Sequence, residues 1–413
     1  MKRNIVTTFT RFFAAAAMVV GIASCEADLE SVDLDDESES EAAWAIAEQA
    51  VLDLWIEERA DSLIDNRQDA GYYLYNITRV EDNGLATNAG DCWVRYNITT
   101  RDMEGNIILT RNESEALLQG TFSYYTHYAP YKREVTSDSD EAIDLAFLDT
   151  SLVIDGEATS FYAGSKFLII IPSYLAGSSY NGTGGYAGQS TLSSNRPMMS
   201  EIEIIEVISD IDTYETNVVD EFTVANGSFT WSSVAVEDDG VTTALEGVYL
   251  NHDYTPQALN YIEPYGYGST HGITDIQEMN DSIATLLIER FGSGVTTGDV
   301  ITESESSNIW YIARFLDGFV VDTNIEEVRA LVFDDSTNST SEVVYEAESD
   351  NGSHVDMWLY TIPEMKYGQW AAIVGTSDYG YGSGGRDDDG ASSEILSYTP
   401  LMFEIYVEPI EYD

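Results

Sequence analysis

The side chains that could carry chemistry lie in the C-terminal part of the chain and are mostly aromatic. They are Tyr311, Trp358, Tyr381 and Phe403, with the carboxyl group of Asp322 among them. The histidines stand in no nucleophile or metal motif; they are His127, His252, His271 and His354. Such a set suits a dry, aromatic-walled pocket that grips an apolar group. Aromatic residues at strand spacing also commonly form a core, so the residue types leave both interpretations open.

The order of motifs around Trp358 narrows this choice. Trp358 is followed by Met365-Lys-Tyr-Gly368, an apolar run, the turn Tyr379-Gly-Tyr-Gly382 and the last strand-like run Leu401 to Val407. This order resembles the second half of an FK506-binding-protein (FKBP) domain, the family of peptidyl-prolyl cis-trans isomerases. The resemblance implies a curved antiparallel sheet with a short helix, and a pocket that binds X-Pro segments without a cofactor or a metal.

The resemblance gives each candidate residue a role. Tyr311 would line the pocket, Trp358 would form its floor, and the Tyr381 hydroxyl would hydrogen-bond the ligand. Asp322 stands at the acid of the family's Phe-Asp-Ser motif, and Phe403 matches the aromatic residue of the last strand. The implied substrate-binding residues are Val321, Tyr345, Val355 and Ile395, and the main chain near Val355 would offer an N–H to the substrate carbonyl.

Two features depart from the family pattern. Val321 stands where the family has Phe, and the loop between Tyr381 and Phe403 is longer and carries Asp387-Asp-Asp-Gly390. Both changes are expected to affect pocket closure and substrate choice.

An earlier part of the chain resembles the same family less completely. Gly164 to Ala176 and Arg196 to Val207 match its strand, its Ile-Pro turn and its last strand, which indicates an internal duplication. Tyr96 matches the pocket tyrosine, but no tryptophan falls at the pocket floor. The other site positions carry residues without the family's side chains, namely Leu109, Gly177 and Ser200. We therefore expect the first copy to be structural or peptide-binding rather than catalytic.

Charge and cysteine content exclude several classes of function. The 413 residues include 73 acidic and 18 basic ones, for a formal net charge of −55. A chain this negative repels phosphate backbones, so nucleic acid is not an expected partner. Its two cysteines, Cys25 and Cys92, exclude a disulfide framework or a cysteine-based metal site.

The N-terminus has the pattern of an export signal. A basic start precedes a short apolar run, and the run ends in Ile22-Ala-Ser-Cys25, which resembles the lipobox of bacterial lipoproteins. The resemblance implies lipidation of Cys25, a membrane anchor and an outer-membrane lipoprotein on the periplasmic or outer surface. Residues 26–41 are strongly acidic, which favours an extended tether or an export tag like those of Bacteroidetes surface lipoproteins.

Periodicity then places the elements that position the site. We expect an α+β fold with an amphipathic helix near 41–64, two FKBP-like domains and a helix around Ile276 to Leu287 that ends at Gly292. The predicted divisions are a signal peptide (1–24), a tether (25–41), a first domain (42–210), a linker (211–240) and a second domain with an N-terminal insertion (241–413).

Two functions remain open from the sequence. The first is an envelope peptidyl-prolyl isomerase, active in the second domain, that acts on proline-containing polypeptides and assists the folding of exported proteins. The alternative is a non-catalytic surface lipoprotein that uses the same fold to bind a protein or another ligand.

Overall fold

The structure is a computed structural model that describes residues 37–58, 63–67, 72–78, 80, 84–136, 142–149, 153–154, 157–158, 160–173, 197–238, 241–263, 276–294, 299–301, 306–335, 340–346, 354–387 and 392–408. Within these ranges, helices pack on two large antiparallel sheets, which confirms the α+β prediction. We call residues 37–208 the first half and residues 211–408 the second half. None of the helices in the described ranges is long and apolar enough to cross a membrane.

The first half contains one seven-stranded sheet. Its elements are α1 (Glu37–Glu57), β1 (Leu63–Arg67), β2 (Tyr72–Thr78), β3 (Cys92–Asp102), β4 (Ile107–Thr110), α2 (Glu113–Gln119), β5 (Tyr131–Val135), α3 (Ala142–Leu148), a small hairpin of β6 (Val153–Ile154) and β7 (Glu157–Ala158), β8 (Lys166–Ile171) and β9 (Met198–Ile208). The strand order is β1-β2-β8-β9-β3-β4, with β5 also paired to β3.

The second half repeats this arrangement. Its elements are α4 (Ile211–Ala225), β10 (Ser232–Asp238), β11 (Val241–Asn251), α5 (Ile276–Phe291), β12 (Ser306–Phe315), β13 (Val320–Thr323), α6 (Glu326–Phe333), β14 (Val343–Glu346), α7 (Asp356–Thr361), β15 (Trp370–Gly375) and β16 (Leu401–Val407). The strand order is β10-β11-β15-β16-β12-β13, with β14 also paired to β12. Element by element, this is the order of the first sheet.

Strand register makes the repeat residue-specific. In the first sheet, Thr100 of β3 lies opposite Leu109 of β4 and Ser200 of β9. In the second sheet, Ala313 of β12 lies opposite Asp322 of β13 and Phe403 of β16. Because the pairing fixes which residues share a position, Leu109 is equivalent to Asp322, and Ser200 to Phe403, as the sequence predicts.

The helix before each sheet makes the same contact in both halves. Glu48 of α1 accepts hydrogen bonds from the main-chain N–H and hydroxyl of Ser173, which follows β8. Glu215 of α4 accepts from the N–H of Ser377 at 3.0 Å and from its hydroxyl at 2.8 Å, just after β15. Burial raises the pKa of Glu215, while the serine bonds and Lys132 oppose that rise. Each helix is therefore part of its own half.

This contact corrects two predicted boundaries. Residues 211–240 are not a linker, because they form α4 and β10, and β10 pairs with β11. The N-terminal helix begins at Glu37, inside the predicted tether, and ends at Glu57. Acidic residues at the start of α1 and on the exposed face of α4 gave these segments the composition of a solvated connection.

The second sheet is covered on both faces. On β12, Trp310 and Ile312 pack against the buried Met279, Ile283 and Leu287 of α5. The alternate β12 residues Ile309 and Ala313 face a separate apolar cluster that contains α7 residues. The predicted α5 is thus confirmed, and it buries the back of the sheet while the opposite face carries the candidate site.

Candidate functional site

Three aromatic rings meet on the α7 face of the second sheet. The ring centroids of Tyr311 and Trp358 lie 5.2 Å apart, those of Trp358 and Phe403 5.5 Å, and those of Tyr311 and Phe403 6.4 Å. Two of the three pairs are edge-to-face, with interplanar angles of 74° and 82°. This geometry is favourable for aromatic rings. The structure thus brings together three of the predicted site residues, Tyr311, Trp358 and Phe403.

Strand pairing and a short helix bring the rings together. Tyr311 lies opposite Ile405 and Ala313 opposite Phe403, so Tyr311 and Phe403 are diagonal neighbours on one face of the β12–β16 pair. Trp358 comes from α7, whose first turn is closed by a 2.9 Å bond from the Trp358 N–H to the Val355 carbonyl. The indole therefore points from the helix toward the diagonal pair.

A polar group borders the rings. The Tyr311 hydroxyl donates to Asp322 Oδ2 at 2.9 Å, across the β12–β13 pair. Burial, followed by the charge of Asp322, raises the pKa of Tyr311 far above its ordinary value. Tyr311 is therefore a protonated phenol whose proton points at Asp322, and its oxygen keeps lone pairs for a further donor.

Arg386 is the main site residue that the sequence did not indicate. Its Nη1 lies 3.3 Å from Asp322 Oδ2 and 3.5 Å from the Tyr381 hydroxyl, and its Nη2 donates to the Ser393 carbonyl at 3.1 Å. The guanidinium carbon also lies 5.3 Å from the centroid of the Tyr381 ring. Tyr381 thus joins the site through Arg386. The available signal was a single cation in an acidic, glycine-rich loop of a chain with only 18 basic residues.

The segment that carries Tyr381 and Arg386 closes on itself beside the rings. We call residues 381–387 and 392–398 the site loop; residues 388–391 lie outside the described part and are not included. The main chains of Arg386 and Ile395 exchange two bonds of 2.7 and 2.8 Å, and the Tyr398 N–H donates to the Gly382 carbonyl at 2.9 Å. Gly385 has φ +62°, and a Cβ there would lie 2.3 Å from the Ile395 carbonyl oxygen. Only glycine fits that position.

The predicted substrate-binding residues surround the rings. Val321, Tyr345 and Ile395 are buried in the same apolar cluster, and Val355 packs at its edge. Tyr345 reaches Trp358 through His354, whose ring stacks on the indole at 5.4 Å and 19°. The sequence did not point to His354, because it stands in no motif. Donation by the main chain near Val355 stays a prediction, and Cys25 lies outside the described residues.

Trp358 carries a donor without an acceptor. Its indole Nε1 is buried, yet it makes no hydrogen bond to any residue that the structure describes. Buried donors are normally paired, and a lone one marks a place where an acceptor can bind. A carbonyl oxygen of a bound chain would satisfy it.

The equivalent place in the first half lacks these groups. The position of Tyr311 is occupied by Ile98, that of Asp322 by Leu109 and that of Phe403 by Ser200. Tyr96, predicted to match Tyr311, pairs with Ile204 as Ile309 pairs with Val407, so that match is wrong by two residues. Gly177 lies outside the described residues.

No group of three or more His, Cys, Asp or Glu residues that could hold a metal ion occurs in the described ranges. A cavity of about 550 Å³ lies between the two halves, and none of the five predicted catalytic residues lines it. The rings therefore form a packed, largely buried cluster beside the site loop, distinct from this cavity.

Comparisons with known proteins add little to this geometry. No family profile and no curated protein matches the sequence. Among solved structures, the chain is similar to the three FKBP domains of wheat FKBP73 (12% identity, 85% of this chain and 100% of that one, TM-score 0.25). It is also similar to a peptidyl-prolyl cis-trans isomerase of Pseudomonas syringae pv. tomato (16%, 49% and 94%, 0.27) and to AtFKBP13 (18%, 27% and 84%, 0.21). All three TM-scores are below 0.5, so the functional argument has to come from the side chains of the site.

Proposed function

We propose that the second half catalyses cis-trans isomerisation of X-Pro peptide bonds. The observation that supports this most directly is the convergence of Tyr311, Trp358 and Phe403 around an indole N–H that has no acceptor among the described residues. Aromatic walls with one free donor match the needs of this reaction. The motif order around Trp358 in the sequence points the same way.

The reaction needs binding rather than acid–base chemistry. The barrier of roughly 18–20 kcal/mol arises from lost amide resonance, and the amide rotates without any bond being made or broken. A proline ring held among the three rings would be desolvated, and the twisted amide would be favoured in a site that excludes water. Trp358 Nε1 would hold a substrate carbonyl, and Tyr381 would supply a hydroxyl at the edge.

Asp322 acts through Tyr311 in this scheme. Its carboxylate accepts hydrogen bonds from the Tyr311 hydroxyl and from Arg386 Nη1. It therefore fixes the orientation of one aromatic wall and is a positioning residue. No step requires the carboxylate to accept a proton from the substrate.

A second function has one observation in its favour. Arg386 spans Asp322, Tyr381 and the Ser393 carbonyl, and so it occupies polar groups that a substrate would use. A site closed in this way would suit a binding module that holds a ligand without turning it over. The two functions differ in turnover, not in fold.

The cellular setting belongs to the same proposal. A lipid anchor on Cys25, an acidic tether and an outer-membrane location would place the folding activity where exported proteins arrive. Metabolic labelling with an alkyne fatty acid tests the anchor. Label is expected on the wild-type chain and not on Cys25→Ser, and label on both would contradict it.

A protease-coupled isomerisation assay on proline tetrapeptides tests the activity. The whole chain is required, because α4 and β10 precede residue 240 and belong to the second half. Tyr381→Phe is expected to lower kcat/KM about tenfold, in keeping with one lost hydrogen bond to the ligand. Tyr379→Phe, two residues earlier, is the matched control and should keep wild-type activity.

Wild-type activity no higher than the uncatalysed rate would contradict the isomerase and favour the binding module. Binding of the same peptides without turnover, measured by calorimetry, would then support the alternative directly.

A further inference from the structure

The outer side of the site loop is held by the first half of the chain. Tyr398 packs edge-on against Trp93, with ring centroids 4.7 Å apart, and its carbonyl accepts a hydrogen bond from Lys132 Nζ. Glu394 Oε2 lies 3.4 Å from Arg111 Nη2. Three first-half residues therefore contact two residues of the site loop.

A cavity between the halves borders the site loop beside these contacts. The cavity of about 550 Å³ between the halves is lined by Glu394, Leu396 and Thr399 on one side, and by Arg111 and Lys132 on the other. The loop therefore does not rest on a continuous apolar surface along this side. On this side, the individual contacts at the cavity margin hold it.

The first-half residues are themselves rigidly placed. The Arg111 side chain is 3% exposed; its guanidinium carbon lies 3.6 Å from the Tyr131 ring centroid, and its Nη1 donates to the His127 carbonyl at 2.7 Å. Lys132 is 10% exposed and lies 3.9 Å from Glu215 Oε1. Both cations are thus buried in a chain that has only 18 basic residues in total.

Tyr398 shows backbone strain at the point of contact. It is a non-glycine residue with φ +52°, in the left-handed region that side chains disfavour. Its N–H is bound to Gly382, its carbonyl to Lys132 and its ring to Trp93. Such strain persists where surrounding contacts over-determine the conformation, and it clusters at functional segments.

The contacts connect directly to the site. Glu394 precedes Ile395, which exchanges both main-chain bonds with Arg386, and Tyr398 is bonded to Gly382, next to Tyr381. A shift at either residue moves Tyr381 and Arg386 relative to the rings.

We propose that the first half is a positioning module for the site of the second half, and that Trp93, Arg111 and Lys132 hold the site loop in its closed arrangement. The effect on catalysis rests on the proposed isomerase function; the effect on loop order does not. The first copy, having lost the site side chains, would thus serve the active copy.

Hydrogen exchange on the full chain, measured by mass spectrometry, tests the positioning role without any substrate. Lys132→Met is expected to speed exchange of the Arg386, Ile395 and Tyr398 amides about tenfold. This factor corresponds to the net free energy of one hydrogen bond. Exchange in β12 should stay unchanged. Lys166→Met is the matched control, because Lys166 pairs with the exposed Glu203 on the first sheet and touches no part of the loop.

Glu394→Gln gives a second, milder test on the loop itself. Its side chain is 32% exposed, so the variant should fold even if Lys132→Met does not. About a twofold to threefold faster exchange is expected in the same amides. Unchanged loop exchange in both folded variants would overturn the positioning role.

An isomerisation assay of the same variants separates the two proposals. If the wild type is active, Lys132→Met should raise KM with little change in kcat, since the rings remain in place, and Lys166→Met should change neither. Faster loop exchange in Lys132→Met with an inactive wild type would support the positioning role and contradict the isomerase.

Discussion

The two halves share a strand order and a register, yet they fill equivalent positions differently. The first half has Ile98, Leu109 and Ser200 where the second half has Tyr311, Asp322 and Phe403. The first core is closed instead by stacked phenylalanines, with Phe161 and Phe167 4.3 Å apart. Strand pairing and apolar burial therefore suffice for this fold, and the aromatic and acidic side chains of the second half are additional to it.

One carboxylate in each half shows a further difference, in how deeply it is buried. In the first half, Arg133 forms a two-pronged pair with Asp144, with Nε–Oδ1 and Nη2–Oδ2 distances of 2.5 and 2.7 Å, and the Asp144 side chain is 3% exposed. In the second half, Asp322 is 19% exposed and lies at the border of the rings. The buried carboxylate is committed to structure, whereas the bordering one orients Tyr311 and Arg386.

The largest expected loss of stability comes from placing the first half's serine at position 403 of the second half. Phe403→Ser removes a buried ring and is expected to lower the free energy of unfolding by about 4 kcal/mol. Ser200→Ala, the matched change in the first half, removes only a 2.8 Å hydroxyl contact with Thr100 and should cost about 1 kcal/mol. Urea unfolding of both variants measures the difference. Equal costs would show that position 403 is not a packed aromatic site.

The carboxylates give the next largest contrast. Asp144→Asn leaves the Arg133 charge without its buried partner and should cost about 3 kcal/mol, while Asp322→Asn should cost about 1 kcal/mol. Glu203→Gln, at an exposed pair, serves as the control and should stay within about 0.5 kcal/mol. The unfolding midpoint in urea reports all three. A larger loss at Asp322 than at Asp144 would reverse the assignment of structural and site carboxylates.

A smaller effect concerns the contact between the halves and depends on pH. Burial lowers the pKa of Lys132 to about 8, with Glu215 opposing and Arg95 adding to that shift. The pKa of Lys132 in the unfolded chain is higher, so above pH 8 the unfolded chain binds more protons than the folded one. The free energy of unfolding therefore rises with pH. We expect a gain of about 1 kcal/mol between pH 8 and 9.5, read from urea midpoints, relative to Lys132→Met. Parallel pH profiles for the two proteins would contradict a buried, proton-releasing Lys132.

Much of the fold was predictable because its signals are local. Alternating apolar residues marked the strands, and the spacing of Met279, Ile283 and Leu287 marked α5. The segment 211–240 misled because α4 buries little beyond Val219, Phe222 and Glu215, so its acidic surface dominates its composition. With Val219 and Phe222 as its fully buried apolar residues, α4 has only a short apolar stripe to detect.

Sequence spacing was enough to predict the site residues that strand pairing and α7 bring together. It was not enough for contacts that form only when the loop is folded. Tyr311, Trp358 and Phe403 converge because strand pairing and α7 place them together. Tyr96 was misassigned because it is a tyrosine two residues before the equivalent position, which Ile98 occupies, and only the strand pairing shows this offset. Arg386 was missed because its partners come from β13 and from its own loop, and only the folded loop brings them within reach.

The central claim is that the aromatic site of the second half turns over X-Pro bonds and that the first half does not. The most direct measurement is NMR exchange spectroscopy of a proline peptide with the full chain, without a coupling protease. We expect exchange well above the uncatalysed rate for the wild type and at least a tenfold loss for Tyr311→Ile, which places the first-half residue in the site. Ile98→Val, at the matching position of the first half, should leave the exchange unchanged. Exchange at the uncatalysed rate in the wild type, or full activity in Tyr311→Ile, would contradict the claim.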